Sequence, residues 1–164
     1  MTYLDFGANI ERLGPYQEVI EIEISSVSGT LPTEIGLYHQ LTFLHLYNSQ
    51  LTGTIPSEIG MLQQLNGLFL YNNQFSGLVP SEIGMLQNLT LLSLRSNSLS
   101  GPIPSELGKL EQLIYFDLDK NQLVGTIPSK IGMLQNLTTL DLWGNNLSGP
   151  IPSELGKLEQ LTYF

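Results

Sequence analysis

Apolar residues return along this chain at intervals of 24 positions. Ile20, Leu44, Leu68, Leu92, Phe116 and Leu140 form one column, and Ile22, Leu46, Leu70, Leu94, Leu118 and Leu142 form a second, two residues on. Segments such as LHLYN and LDLWG alternate apolar with polar residues, the signature of a short strand with one buried face. Strands that recur in register with a crossover between them pair in parallel. The spacing therefore predicts a tandem array, one elongated domain whose length is set by the number of turns.

A third column, Val27, Leu51, Phe75, Leu99, Leu123 and Leu147, is followed by Leu31, Ile55, Val79, Ile103, Ile127 and Ile151, each preceding a proline, from Pro32 to Pro152. Proline fixes φ and lacks a backbone donor, which suits the first position of a short helical turn where the chain folds back on its outer side. Twelve of the 16 glycines fall in two columns, Gly29 to Gly149 and Gly36 to Gly156, where the path needs positive φ or close backbone approach. Between apolar neighbours run Ser25, Ser49, Asn73, Asn97, Asn121 and Asn145. Buried amides must satisfy their donors and acceptor, so Asn73, Asn97, Asn121 and Asn145 are expected to form a structural ladder bridging backbone groups of adjacent turns. Five complete turns are expected from about Gln17 to Gln160, with a truncated sixth expected to begin at Leu161. Residues 1–16 are expected to be an irregular N-terminal cap on an array spanning 17–164.

The array also repeats as a two-turn unit. SGPIPSELGKLEQLIYF at 100–116 returns at 148–164 with one change, Ile114 for Thr162. The outer backs of the turns are interchangeable, while the strands SLRSNS and DLWGNN are not.

A net charge of −9 argues against a nucleic-acid binder, which needs a basic stripe to displace counterions, and disfavours anionic membranes. The absence of cysteine removes disulfides and thiolate metal sites. No apolar run approaches the ~20 residues of a membrane span, and the opening MTYLDFGANIERLG does not read as a secretory leader.

The columns spell LxxLxLxxNxLxGxIPxxLGxL, clearest in LTTLDLWGNNLSGPIPSELGKL at 137–158, and this resembles the leucine-rich repeat of the plant-specific class. The resemblance covers residues 17–164. It implies an α/β right-handed solenoid, with a parallel β-sheet on the concave face and short 3₁₀ or helical turns on the convex face. It also implies binding rather than catalysis, since similar arrays serve as ectodomains of receptor kinases and receptor-like proteins, as inhibitors of cell-wall-degrading enzymes and, in a few cases, as ice binders. An extracellular or cell-surface place follows from the same resemblance.

Specificity should sit where neighbouring turns differ. One such column reads Glu21, His45, Phe69, Ser93, Asp117, Asp141, and the next Glu23, Tyr47, Tyr71, Arg95, Asp119, Trp143. Both are expected to point outward from the concave sheet, one strand spacing of about 4.8 Å between neighbours. His45, Tyr47, Phe69 and Tyr71 would form a solvent-facing aromatic cluster of the kind that anchors interfaces. Asp117, Asp119 and Asp141 would form an acidic patch, with Arg95 and Lys120 at its flank, able either to take a basic ligand group or to stand as a solvated charge cluster. Trp143 could stack on a ligand.

The expected partner is a protein, peptide or glycan on this face, with no cofactor and no metal. DLDKNQ at 117–122 lacks the glycine and bidentate glutamate of an EF-hand loop, and paired aspartates on an open sheet do not make a hydrolase site. Two alternatives stand beside the recognition module. An inhibitor of a secreted hydrolase could use the acidic patch, and an ice-binding array could use the hydroxyl columns Thr30, Thr54, Thr126 and Ser28, Thr52, Ser76, Ser100, Ser148. Asn88, Asn136 and Asn146 open glycosylation sequons that bear on a secreted chain.

Overall fold

The computed structural model describes residues 21–164; the expected cap at 1–16, and Ile20 of the first column, lie outside them. Six three-residue strands, Glu21–Glu23, Phe43–His45, Gly67–Phe69, Leu91–Ser93, Tyr115–Asp117 and Thr139–Asp141, pair in parallel in chain order as one six-stranded sheet. Their central residues, Ile22, Leu44, Leu68, Leu92, Phe116 and Leu140, are buried in a single core that runs the length of the array. Each turn buries its aliphatics only against the turns beside it, at about 2 kcal/mol per fully buried side chain, so the array is stable as a stack and not turn by turn.

A second parallel sheet lies beside the first and was not expected from the sequence. Its strands are Ser28–Thr30, Gln50–Gly53, Gln74–Leu78, Ser98–Gly101, Gln122–Gly125 and Asn146–Leu147. A segment such as QLTG buries one residue, so hydrophobic alternation does not announce it. The bend that feeds this sheet comes at Ser26, Asn48, Asn72, Ser96, Lys120 and Gly144, all with φ between 49° and 68°. Asn tolerates that left-handed conformation better than most residues.

The first turn is shorter than the 24-residue columns imply. Ile22, not Ile20, pairs with Leu44, and Glu23 lies level with His45 rather than with Tyr47. A two-residue slip keeps every side chain on its own face, so alternation alone cannot detect it. Ser25 consequently supplies no ladder rung. Ser49 does so in part, its hydroxyl accepting from Val27 N at 3.3 Å and donating to the Tyr47 carbonyl at 3.2 Å. Below it the amides take over. Asn121 accepts from Leu99 N at 3.0 Å and donates to the carbonyls of Leu94 and Leu118 at 3.0 and 3.1 Å. Asn73, Asn97 and Asn145 repeat the arrangement.

The helical parts are 3₁₀ turns, Thr33–Leu37, Ser57–Met61, Ser81–Met85, Ser105–Lys109, Ser129–Met133 and Ser153–Lys157, and no α-helix occurs among the described residues. Proline sits one residue before each turn, not at its first helical position. Pro56 is extended, with φ −72° and ψ 146°, and its carbonyl accepts the first turn bond from Ile59 N at 3.1 Å. The two glycine columns do different work. Gly53 and its equivalents have positive φ, 79° at Gly53 itself. Gly60 lets successive turns stack, because a Cβ there would meet the Glu82 carbonyl oxygen at 2.7 Å. At the far end Tyr163 makes an isolated parallel bridge to Thr139, and Leu140 N donates to its carbonyl at 3.0 Å.

Candidate functional site

Strands about 4.8 Å apart set equivalent side chains on neighbouring turns at stacking distance. His45 and Phe69 stack with centroids 4.8 Å apart and planes 13° from parallel, and Phe43 stacks against His45 at 5.7 Å. Tyr47 and Tyr71 stack at 5.0 Å. The structure thus brings the four expected aromatics together and adds Phe43. The Tyr47 hydroxyl donates to Glu23 Oε1 at 2.7 Å, and this bond, with the negative charge of Glu23, raises the phenol above its ordinary range. Glu21 approaches His45 Nε2 at 3.6 Å.

Further along, the second column continues as a chain of charges and rings. The Arg95 guanidinium lies 5.9 Å from the centroid of Tyr71, and its Nε faces Asp119 Oδ1 at 3.7 Å. Lys120 Nζ stands 3.8 Å from Asp119 Oδ2 and 5.4 Å from the centroid of the exposed Trp143 ring. From Glu23 to Asp119 each side chain of this series meets the next, and Lys120, from outside the column, links Asp119 to Trp143.

The acidic patch differs from expectation. Asp117 is only 1% exposed and Asp119 6%, so neither presents a carboxylate to solvent as the column pattern implied. Asp117 is buried because it is satisfied. Ser93 Oγ and the Tyr115 hydroxyl donate to its Oδ2 at 3.1 and 3.0 Å, and Asp119 N donates to Oδ1 at 3.1 Å. Those donors offset the repulsion of neighbouring acids that the sequence left uncompensated. Burial pushes the Tyr115 hydroxyl up to about 12, with the charge of Asp117 adding to it. Burial likewise raises the Asp119 carboxyl, helped by the nearby Asp117 charge and opposed by Arg95. Asp119 Oδ1 and Arg95 Nε are buried atoms without a hydrogen-bond partner, facing each other across a gap slightly too long for one. Asp141 is half-buried and accepts from Trp143 N at 3.1 Å. Asp117, Asp119 and Asp141 offer oxygens within 4.8 Å of one another, but two cationic side chains already meet Asp119 there.

Tyr115 was missed in the sequence because it belongs to the other outward column of the strand, Phe43, Gly67, Leu91, Tyr115, Thr139, whose members look unlike one another. It closes one side of a cleft of about 320 Å³ whose other walls are Phe69, Tyr71, Ser93, Arg95 and Asp117.

Elsewhere, the hydroxyls of Thr52, Ser76, Ser100 and Ser148 donate to glycine carbonyls of the preceding turn at 3.2–3.5 Å. These four hydroxyls thus spend their protons on the protein. Asn88 and Asn136 are exposed on the edge of the concave sheet where the chain enters it, and Asn146 is exposed in the second sheet. Among the described residues no helix is long and apolar enough to cross a membrane.

The family model described as Leucine Rich Repeat matches residues 40–62, 64–86, 88–110 and 136–158. No curated protein sequence matches the chain. Among solved structures, the ectodomain of the Arabidopsis thaliana membrane receptor kinase GASSHO1/SCHENGEN3, in complex with CASPARIAN STRIP INTEGRITY FACTOR 2, is similar at 44% identity and TM-score 0.87, over 89% of this chain and 18% of that one. The plant peptide hormone receptor RGFR1, in complex with RGF2, is similar at 43% identity and TM-score 0.84, over 88% of this chain and 23% of that one. A leucine-rich repeat protein of Leptospira interrogans is similar at 36% identity and TM-score 0.81, over 100% of this chain and 40% of that one. The chain spans about a fifth of the length of the two plant receptor chains.

Proposed function

The chain belongs to the leucine-rich repeat family, and we propose that it is a non-catalytic recognition module, part of an extracellular or cell-surface protein, that binds a peptide or an extended protein segment on its concave face. Support comes from the relatives, among them a plant peptide hormone receptor in complex with RGF2 and a plant receptor kinase ectodomain in complex with CASPARIAN STRIP INTEGRITY FACTOR 2.

The observation that carries the reading is the exposure of charge. The Arg95 side chain, 41% exposed, stands at the cleft between Tyr71 and Tyr115, while Asp117 and Asp119 behind it are buried. The accessible charge at the centre of the face is therefore a cation in an aromatic frame. It suits a ligand carboxylate or carbonyl with an apolar side chain beside it, rather than the basic ligand group that the acidic column suggested. Tyr71 has Tyr47 over one face and Arg95 over the other, so no open ring face remains there for a sugar to stack on, which favours a peptide over a glycan.

Selection from a displayed random-peptide library, followed by hydrogen-exchange footprinting of the best binder, tests this. Protection is expected at 69–71, 93–95 and 115–119. A footprint confined to the convex turns Ser57–Met61 and Ser81–Met85 would contradict it.

A further inference from the structure

The one residue that breaks the seventeen-residue repeat, Ile114, has no part in the recognition face. Its column reads Thr42, Asn66, Thr90, Ile114, Thr138 and Thr162, and the hydroxyls of Thr90, Thr138 and Thr162 donate to carbonyls of the preceding turn at 3.0–3.1 Å. Ile114 cannot do so, and its side chain is 41% exposed. It lies in a groove of about 370 Å³ that it shares with Asn136, Gln112 and Gln160. An exposed aliphatic in a polar groove, next to an asparagine in a glycosylation sequon, is a place where a sugar can cover apolar surface.

We propose that Asn88 and Asn136 carry N-linked glycans, and that the innermost sugar on Asn136 seats in this groove against Ile114. The proposal rests on the extracellular part of the reading above. Both asparagines are exposed, two turns apart on the same edge, and in the other complete turns that position is Gln. Asn88 Nδ2 donates to the Gln63 carbonyl, and Asn136 Nδ2 to the Glu111 carbonyl, each at 2.9 Å. An amide nitrogen has two hydrogens, so one holds this bond while the other is replaced. In the modification, Nδ2 attacks the anomeric carbon of a polyprenyl-pyrophosphate-linked oligosaccharide. The new N–C bond forms as the C–O bond to pyrophosphate breaks, the amide gives up one proton, and the polyprenyl pyrophosphate leaves.

The two sites then differ in one respect. The groove position that holds Ile114 beside Asn136 is held by polar Asn66 in the turn that precedes Asn88. Two glycans on this edge would also crowd one side of the concave face and leave the second-sheet side open for a partner.

The test is to secrete the full chain behind a heterologous leader from a eukaryotic host, and to map Asn88 and Asn136 by peptide mass after enzymatic deglycosylation. Conversion of both to Asp is expected, and a secreted protein with both unmodified overturns the proposal. On the native glycoprotein, amidase release is expected to be several-fold slower at Asn136 than at Asn88, and Ile114→Thr to abolish the difference. Equal release rates in the unmutated protein overturn the seating. Failure of the recognition reading would show in peptide binding by the unglycosylated protein and would leave this peptide map unchanged.

Discussion

Arg95 lies over Tyr71, its guanidinium carbon 5.9 Å from the ring centroid, and Tyr71 lies against Tyr47 at 5.0 Å with planes 8° apart. The strand spacing imposes both distances, so the sheet itself orders these side chains before any ligand arrives. Pre-ordering removes part of the entropy that a flexible arginine would lose on binding, about 0.5–1.5 kcal/mol per immobilised side chain. Tyr71→Ala should therefore leave the fold intact while freeing Arg95. Unfolding midpoints within a few degrees of the parent, together with increased fast motion at the Arg95 Nε–H by NMR relaxation, would bear this out.

The two neighbouring aspartates should behave oppositely. Asp117→Ala strands three donors in a nearly closed environment and should cost about 3 kcal/mol in denaturant unfolding. Asp119 is raised by burial, so the folded state holds its proton more tightly than the unfolded chain does. The stability from this group is full below its usual 3.8 and is lost as pH rises through the elevated folded value. Asp119→Asn should flatten that loss and be at least as stable as the parent at neutral pH. A steep loss of stability in Asp119→Asn would show that the Arg95 and Lys120 pairs outweigh desolvation.

Tyr115 supplies a spectroscopic check. Its hydroxyl is pushed up to about 12 by burial, so its stabilising contribution persists below the ordinary tyrosine value of 10.0 and fades as pH rises toward 12. Phenolate absorbance of the folded protein should show a late component that Tyr115→Phe reduces, the raised Tyr47 phenol supplying the remainder.

The stacking glycines separate interior from end. Gly60→Ala would press a methyl group on the Glu82 carbonyl and should destabilise by about 1–3 kcal/mol. A Cβ at Gly156 meets nothing within 4 Å, so Gly156→Ala should be neutral or stabilise by up to about 1 kcal/mol. Equal costs at both positions would contradict stacking through this column.

Much of the array was legible because its periodicities repeat. The Leu columns and both Gly columns were placed by spacing alone, and the parallel sheet follows from them. What escaped was whatever a repeat does not mark. The second sheet buries at most one residue per strand, too few to show an alternation, and the two-residue slip at Ile22 conserves inward and outward alternation. At the candidate site, spacing grouped His45, Tyr47, Phe69 and Tyr71 correctly. It could not tell that Asp117 is buried, because that depends on the hydroxyls of Ser93, on the neighbouring turn, and of Tyr115, from the other outward column, both of which donate to it.

The central claim is that the aromatic-framed arginine on the concave face recognises the ligand. The direct measurement is the affinity of library-selected peptides for the parent, for Tyr71→Ala/Arg95→Ala, and for Lys109→Ala on the convex side. The account expects the double variant to weaken binding at least about tenfold, roughly 1.4 kcal/mol, with Lys109→Ala unchanged. Peptides that bind the double variant as tightly as the parent would contradict it.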